Sequence, residues 1–124
     1  MRYFIVHSCE KKLKKERLDH ELLFLLEKQI IQQQQCVSYG SGLYKVRLAR
    51  GGEGKSGGYR ICIAYKTSER LVMLYMFAKN EKDNLSTSQR RILKIESEKI
   101  LSLKEEDIHY LLRTGKLIEV IHAE

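Results

Sequence analysis

Proline is absent from the 124 residues, and no internal repeat or low-complexity tract interrupts them, so nothing marks a linker between domains. Long apolar runs are missing too. The longest, near Leu22 to Leu26 and Leu71 to Ala78, fall far short of the ~18 residues a membrane-spanning helix needs. The N-terminus lacks the charged, apolar, then small-residue order of a secretion signal, so a cytoplasmic location is expected. Cysteine is scarce: Cys9, Cys36 and Cys62 are odd in number and lack CxxC spacing. They read as free thiols in a reducing compartment, not as a disulfide frame or zinc site. His7, His20, His109 and His122 are scattered without HExxH or similar spacing, so no metal and no cofactor is expected. No serine or cysteine triad is indicated.

Acid is also in short supply. Lys and Arg number 23 against 16 Asp and Glu, a net charge of +7. The excess is not uniform, because residues 101–124 hold five acids against three bases. The positive charge therefore belongs to the body of the domain, which suits nucleic acid, a ribosome or an acidic protein as partner. Hydrophobic content of 43% and charged content of 31% describe an ordinary globular chain. Its length fits one domain over 1–124, with 101–124 expected as a C-terminal helical extension.

Periodicity supplies the elements. Tyr3 to Val6 reads as a first strand, and Glu10 to Gln35 as helix in two pieces. Leu13, Leu18, Leu22, Leu25, Leu26 and Ile30 recur there at helical spacing, and Asp19 is positioned to cap the second piece. Gln32 to Gln35 reads as a solvated helix end, and Ser38 to Gly42 as a loop. Strands follow at about 43–50, 58–66 and 71–78, then a helix over 86–101 capped by Ser86, with Ile92, Leu93, Ile95 and Ile100 on its apolar side. A short helix at about 104–113 precedes Gly115, and Leu117 to Ile121 is an edge strand or an ordered tail.

The chemistry concentrates between Lys45 and Lys66, with six bases (45, 47, 50, 55, 60, 66) against one acid, Glu53. Strand side chains alternate faces. Lys45 and Arg47 therefore share one face of the first strand, as Arg60, Cys62 and Ala64 share one face of the second. The opposite face, with Val46, Leu48, Ile61, Ile63, Met73 and Phe77, is expected to meet the helices, leaving the basic face open. Tyr59 and Tyr65 fall on the core side, and Cys62 reads as a small buried residue.

The turn GGEGKSGG invites a nucleotide-binding reading. A phosphate loop, however, needs its glycines and lysine between a strand and a helix, and here the chain runs on into the strand-like GYRICIAY. The glycines suit a tight hairpin instead. Arg60, with small neighbours beside it, can grip a phosphate through two parallel hydrogen bonds. The competing reading pairs it with Glu81 or another surface acid.

KVRLARGGEGKSGGYR together with FAKNEKDNLS resembles the RelE/HigB-type toxins of bacterial toxin–antitoxin pairs, most closely the branch with a GKSGG turn and a FAKNE strand end. The match is good over residues 40 to 100 and loose over the N-terminal helices, and the ending Lys116 to Val120 also recurs in that branch. The resemblance implies an α+β fold of the RelE/ParE type: an N-terminal strand and two helices packed on a small antiparallel sheet, followed by C-terminal helices. It implies the toxin of a type II pair, a ribosome-dependent, metal-independent mRNA endoribonuclease. A cognate antitoxin, with a helix-turn-helix domain, and mRNA on the ribosome would be its partners. In such toxins an Arg after the SGGY turn is functional, which points to Arg60. Lys45 and Arg47 match paired basic positions on the preceding strand, and Lys79 matches a charge near the scissile phosphate. The expected catalytic set is thus Arg60, Lys79, Lys55 and Arg47, and the expected RNA-binding set Lys45, Arg47, Arg50, Lys55, Arg60 and Lys82. A Tyr that related toxins carry just after the last core strand has no counterpart near Leu85 and Ser86, which leaves the proton-transfer group open. Two alternatives stand beside the nuclease: a ParE-like gyrase inhibitor, and a catalytically decayed toxin that only binds its antitoxin.

Overall fold

The computed structural model describes residues 1–49, 58–82 and 84–121. The glycine-rich turn with Arg50 and Lys55, as well as Asp83, lies outside the described residues. Apolar residues at helical spacing and alternating strands give, in order, β1 (Arg2–Val6), α1 (His7–Lys15), α2 (Leu22–Gln32), β2 (Cys36–Gly40), β3 (Leu43–Leu48), β4 (Tyr59–Lys66), β5 (Arg70–Ala78), α3 (Thr87–Ser102), α4 (Glu105–Arg113) and β6 (Leu117–Val120). None of the described helices is long and apolar enough to cross a membrane.

The fold is α+β, but its sheet is larger and less uniform than the alternation suggests. Among the described residues it has six strands in the order β2-β3-β4-β5-β1-β6. β2 to β5 run antiparallel, whereas β1 lies parallel to β5 and antiparallel to β6. β2 takes up Ser38 to Gly40 of the stretch read from sequence as a loop, and Leu117 to Val120 is an edge strand. The expected helical extension over 101–124 therefore contains, in its described part, α4 and then a strand of the main sheet.

Helices cover both faces. On one, Leu13 of α1 and Leu23, Leu26 and Ile30 of α2 pack on Val46, Ile61, Ile63 and Met73. On the other, Leu93 of α3 and Ile108 of α4 cover Phe4, Leu43, Cys62, Ala64, Val72 and Phe77. The expectation of an open basic face is thereby corrected. Away from Lys45, Arg47 and Arg60 that face is apolar, and leaving it wet would forfeit roughly 25 cal/mol for each Å² it buries. α3 meets it with Leu93 and Ser97, while Ile92 and Ile95 stay 56% and 48% exposed, contrary to the apolar side read from periodicity.

A second correction follows from one extra residue. Opposite Cys62 and Ile63 the register jumps from Tyr75 to Met73, so Leu74 has no partner. Such a bulge shifts the alternation. Met73 and Met76 point to α1 and α2, but Phe77 turns to the α3 side, opposite Arg60. Tyr75 turns with it, opposite Cys62.

The hairpin from β2 to β3 is tied down by α3. Gly40, Ser41 and Gly42 all have positive φ (83°, 57° and 76°), and the buried Ser97 hydroxyl donates to the Ser41 carbonyl at 2.8 Å. A Cβ on Gly42 would stand 2.4 Å from Leu101 Cδ1 and 3.3 Å from the Tyr65 carbonyl oxygen. Gly42→Ala is therefore expected to cost about 1–3 kcal/mol, since strain in φ adds to the clash. Denaturant unfolding checks this, and an unchanged midpoint would refute the packing of α3 over this turn.

Candidate nucleic-acid interface

Two strands bring the basic residues together. Arg47 and Arg60 face each other directly across β3 and β4, with Lys45 one pair further along, opposite Cys62. Like charges opposed in this way repel, so the sheet holds the pair at a cost. The Arg60 guanidinium is the most exposed to that cost. Its Nη1 is buried with no hydrogen-bond partner. Desolvation, then the charge of Arg47, push its pKa below the ordinary arginine value.

The pairing of Arg60 with Glu81 does not occur. Glu81 accepts from Lys12 Nζ of α1 at 2.7 Å, and this contact holds its carboxyl below the usual range. Lys12 in turn lies 3.9 Å from Glu16. Glu81 is thus drawn to the α1 side and engaged there.

Lys45, Arg47 and Arg60 line a concavity of about 420 Å³ with Gln33, Gln35, Cys36 and Val37. Lys45 Nζ donates to the neutral Asn84 Oδ1 at 2.8 Å, so its charge is steadied and not cancelled. Beside the hollow, Lys82 Nζ lies 4.9 Å and 5.0 Å from the ring centres of Tyr75 and Phe77. Arg90 of α3 stacks 4.6 Å from the centre of Tyr39, and its Nε is also buried without a partner. Aromatic faces orient these cations without neutralising them. The buried donors Arg60 Nη1 and Arg90 Nε lack acceptors that an anion could supply, and two phosphate oxygens match the arginine fork.

The other site expectations fall out as follows. Lys79 follows β5, half-buried, with its backbone N–H donating to the Gly58 carbonyl at 3.1 Å. It stands at the strand end, outside the lining of the hollow. Arg50 and Lys55 lie outside the described residues. Tyr59 and Tyr65 are core residues, 3% and 8% exposed, whose hydroxyls donate to Glu16 and Glu27. Among the described residues no three His, Cys, Asp or Glu side chains gather as a metal group would. Alternation alone missed Gln33, Gln35, Tyr39, Tyr75 and Arg90. The first three sit on or before a strand read partly as loop, and Tyr75 reaches this face only through the bulge.

The thiols give a check on the hollow. Burial pushes Cys9 and Cys62 up to about 12, so both should resist alkylation. Cys36, half-buried on the wall of the concavity, is raised less and should be the one thiol labelled in the native chain near pH 8. Short RNA in excess is expected to slow that labelling. Equal rates with and without RNA would place the ligand elsewhere.

The comparison with known proteins agrees with this geometry. No curated protein matches the chain significantly. A family model does: the RelE toxin of RelE/RelB toxin–antitoxin systems matches residues 1–120. A basic hollow on an α+β sheet and a match over nearly the whole length lead to one conclusion: the chain belongs to the RelE toxin family, which implies an antitoxin as its partner.

Proposed function

We propose that the protein is a ribosome-dependent, metal-independent mRNA endoribonuclease of the RelE/HigB kind that halts translation in the cytoplasm. The observation that carries this reading is Arg60 Nη1, buried without a hydrogen-bond partner, on a strand residue that faces Arg47 at the wall of a basic hollow.

Arg60 and Arg47 hold the non-bridging oxygens of the scissile phosphate and stabilise the charge that grows on them as the 2′-oxygen attacks. Such electrostatic stabilisation is commonly the largest single contribution to a rate. Lys79 and Lys55 are assigned the proton transfers. One takes the proton of the 2′-hydroxyl and the other delivers a proton to the departing 5′-oxygen. The products are a 2′,3′-cyclic phosphate and a 5′-hydroxyl end, with no other reactant consumed. Lys45, Arg50 and Lys82 contact flanking phosphates. The ribosome supplies the orientation that a small basic surface lacks, while the RNA backbone supplies affinity. An antitoxin with a helix-turn-helix domain would neutralise the toxin by covering part of it.

Cell-free translation of a defined mRNA tests the reading. The purified chain is expected to create new 5′ ends inside the reading frame, mapped by primer extension, only while ribosomes are engaged. Intact mRNA in every lane, with DNA cleavage complexes formed by gyrase, would replace the nuclease with the gyrase inhibitor. Antitoxin binding without growth arrest would point to a decayed toxin.

A further inference from the structure

The hollow that holds the arginines is lined also by two glutamines in a conformation that does not favour them. α2 ends in a Schellman turn: Gln33 N–H donates to the Ile30 carbonyl at 3.2 Å and Gln34 N–H to that of Gln29 at 2.9 Å. The residue at the turn of such an end takes positive φ and is usually glycine. Here it is Gln33, at φ 55°, and Gln35 repeats the departure at φ 53°. Both carry side chains where a glycine would fold more easily, and both line the hollow with Arg47 and Arg60. Strain held beside a binding surface is an observation from which function can be inferred.

The glutamine turn is also coupled to the arginine pair. Arg47 N–H donates to the Gln35 carbonyl at 2.9 Å. Gln29 Nε2 donates to the Arg47 carbonyl at 2.9 Å and lies 3.4 Å from that of Gln34. The backbone that positions one phosphate-binding arginine therefore also fixes the turn. Gln33 and Gln35 are exposed, so their amides are presented to whatever enters. An amide carries both donors and an acceptor and no charge. It adds little to the grip on a phosphate, but it can pair with the edge of a base.

We infer that Gln33 and Gln35 form a base-reading wall, contacting the edge of the nucleobase that flanks the phosphate held by Arg60 and Arg47. Single-stranded RNA is read in this way, through base edges splayed from the stack. The inference rests on the RNA reading proposed above and extends it from affinity to sequence preference.

The test uses the full chain, with Gln33→Gly, Gln35→Gly and the double variant, against Arg60→Ala. Glycine removes the amide and relaxes the backbone together, so a folding defect cannot imitate the result. Melting temperatures of the glycine variants should be unchanged or higher. Binding of short fluorescein-labelled oligo(A), oligo(C) and oligo(U) is followed by anisotropy at low salt. The unmutated chain should prefer one oligomer over the poorest by about fivefold or more, the scale of a good amide–base pair. The double glycine variant should bind all three within about twofold. Arg60→Ala should weaken all three alike and keep the preference. RNA binding that depends on Arg60 but discriminates equally with or without the glutamines would overturn the base-reading wall and leave the nuclease reading standing. No preference in the unmutated chain would overturn it too. Failure to bind any oligomer would overturn the wall as a reader of free RNA, and leave the nuclease reading to the cell-free translation test.

Discussion

Arg60→Met is expected to lower cleavage of ribosome-bound mRNA by at least about 100-fold, the usual effect of deleting one donor to a developing oxyanion, while raising the melting temperature. The two effects share a cause. In the free protein the guanidinium Nη1 is buried without a partner and faces Arg47. An unsatisfied buried donor costs about 1–3 kcal/mol, and the opposed like charge adds to it. Methionine keeps much of the stem's volume and removes both penalties. A gain near 1 kcal/mol corresponds to a rise of about 3–5 °C for a domain of this size. Arg60→Lys should restore little activity, because an ammonium lacks the planar fork that meets two phosphate oxygens. Primer extension and thermal denaturation on the same preparations check the claim. A loss of cleavage below tenfold would remove Arg60 from the site. A fall in melting temperature would show that an ordinary structural contact had been cut.

The second large effect concerns the far end of the chain. A protein ended after Leu103 should fail to fold, and Ile108→Ala should lower the melting temperature by about 10 °C. Ile108 and Leu117 are 0% and 3% exposed and pack with Phe4, itself 1% exposed. Truncation strips the layer over that end of the sheet and removes the strand paired with β1 from Tyr3↔Val120 to Val6↔Leu117. Isoleucine to alanine in a closed core costs about 2–5 kcal/mol. The ion pairs at this end are the weaker contribution. Arg2 donates from Nε to Glu119 at 2.9 Å and from Nη1 to Glu105, yet Arg2 and Glu105 are 37% and 68% exposed. Exposed pairs contribute about 0–1 kcal/mol, so Glu105→Gln should move the midpoint far less than Ile108→Ala. A soluble, cooperatively melting fragment 1–103 would show that the segment is dispensable.

Local chemistry made much of this fold readable. The amphipathic repeat gave both N-terminal helices; Asp19 Oδ1 accepts from the Glu21 amide at 2.8 Å, but in the turn before α2, whose cap position falls to Glu21. Ser86 caps α3 in a reciprocal pair with Gln89, where the sequence placed it. Strict alternation put Lys45, Arg47 and Arg60 on one face. What was hidden depends on distant partners. β2 has a sequence that reads partly as loop, and becomes a strand because β3 offers it an edge. The run RLVMLYMFA is apolar almost throughout, so no pattern could mark the extra residue at Leu74 that sends Tyr75 and Phe77 across the sheet. The engagement of Glu81 by Lys12 spans 69 positions of sequence, and only the packing of α1 against β5 brings it about. The site was legible as a charge pattern. The glutamine wall was not, because its meaning lies in backbone angles.

The place of β1 has a consequence for how the molecule comes into being. Among the described strands, the first in chain order lies between β5 and β6, the last two. As the nascent chain emerges, β1 has no neighbour until β5 is out, and its outer edge stays bare until Leu117 to Val120 follow. Contacts between such distant parts of a chain form late and slowly. Pairing of β1 is thus deferred until β5, and then β6, has emerged. The sheet is therefore completed at its β6 edge only by the union of the two ends of the described chain.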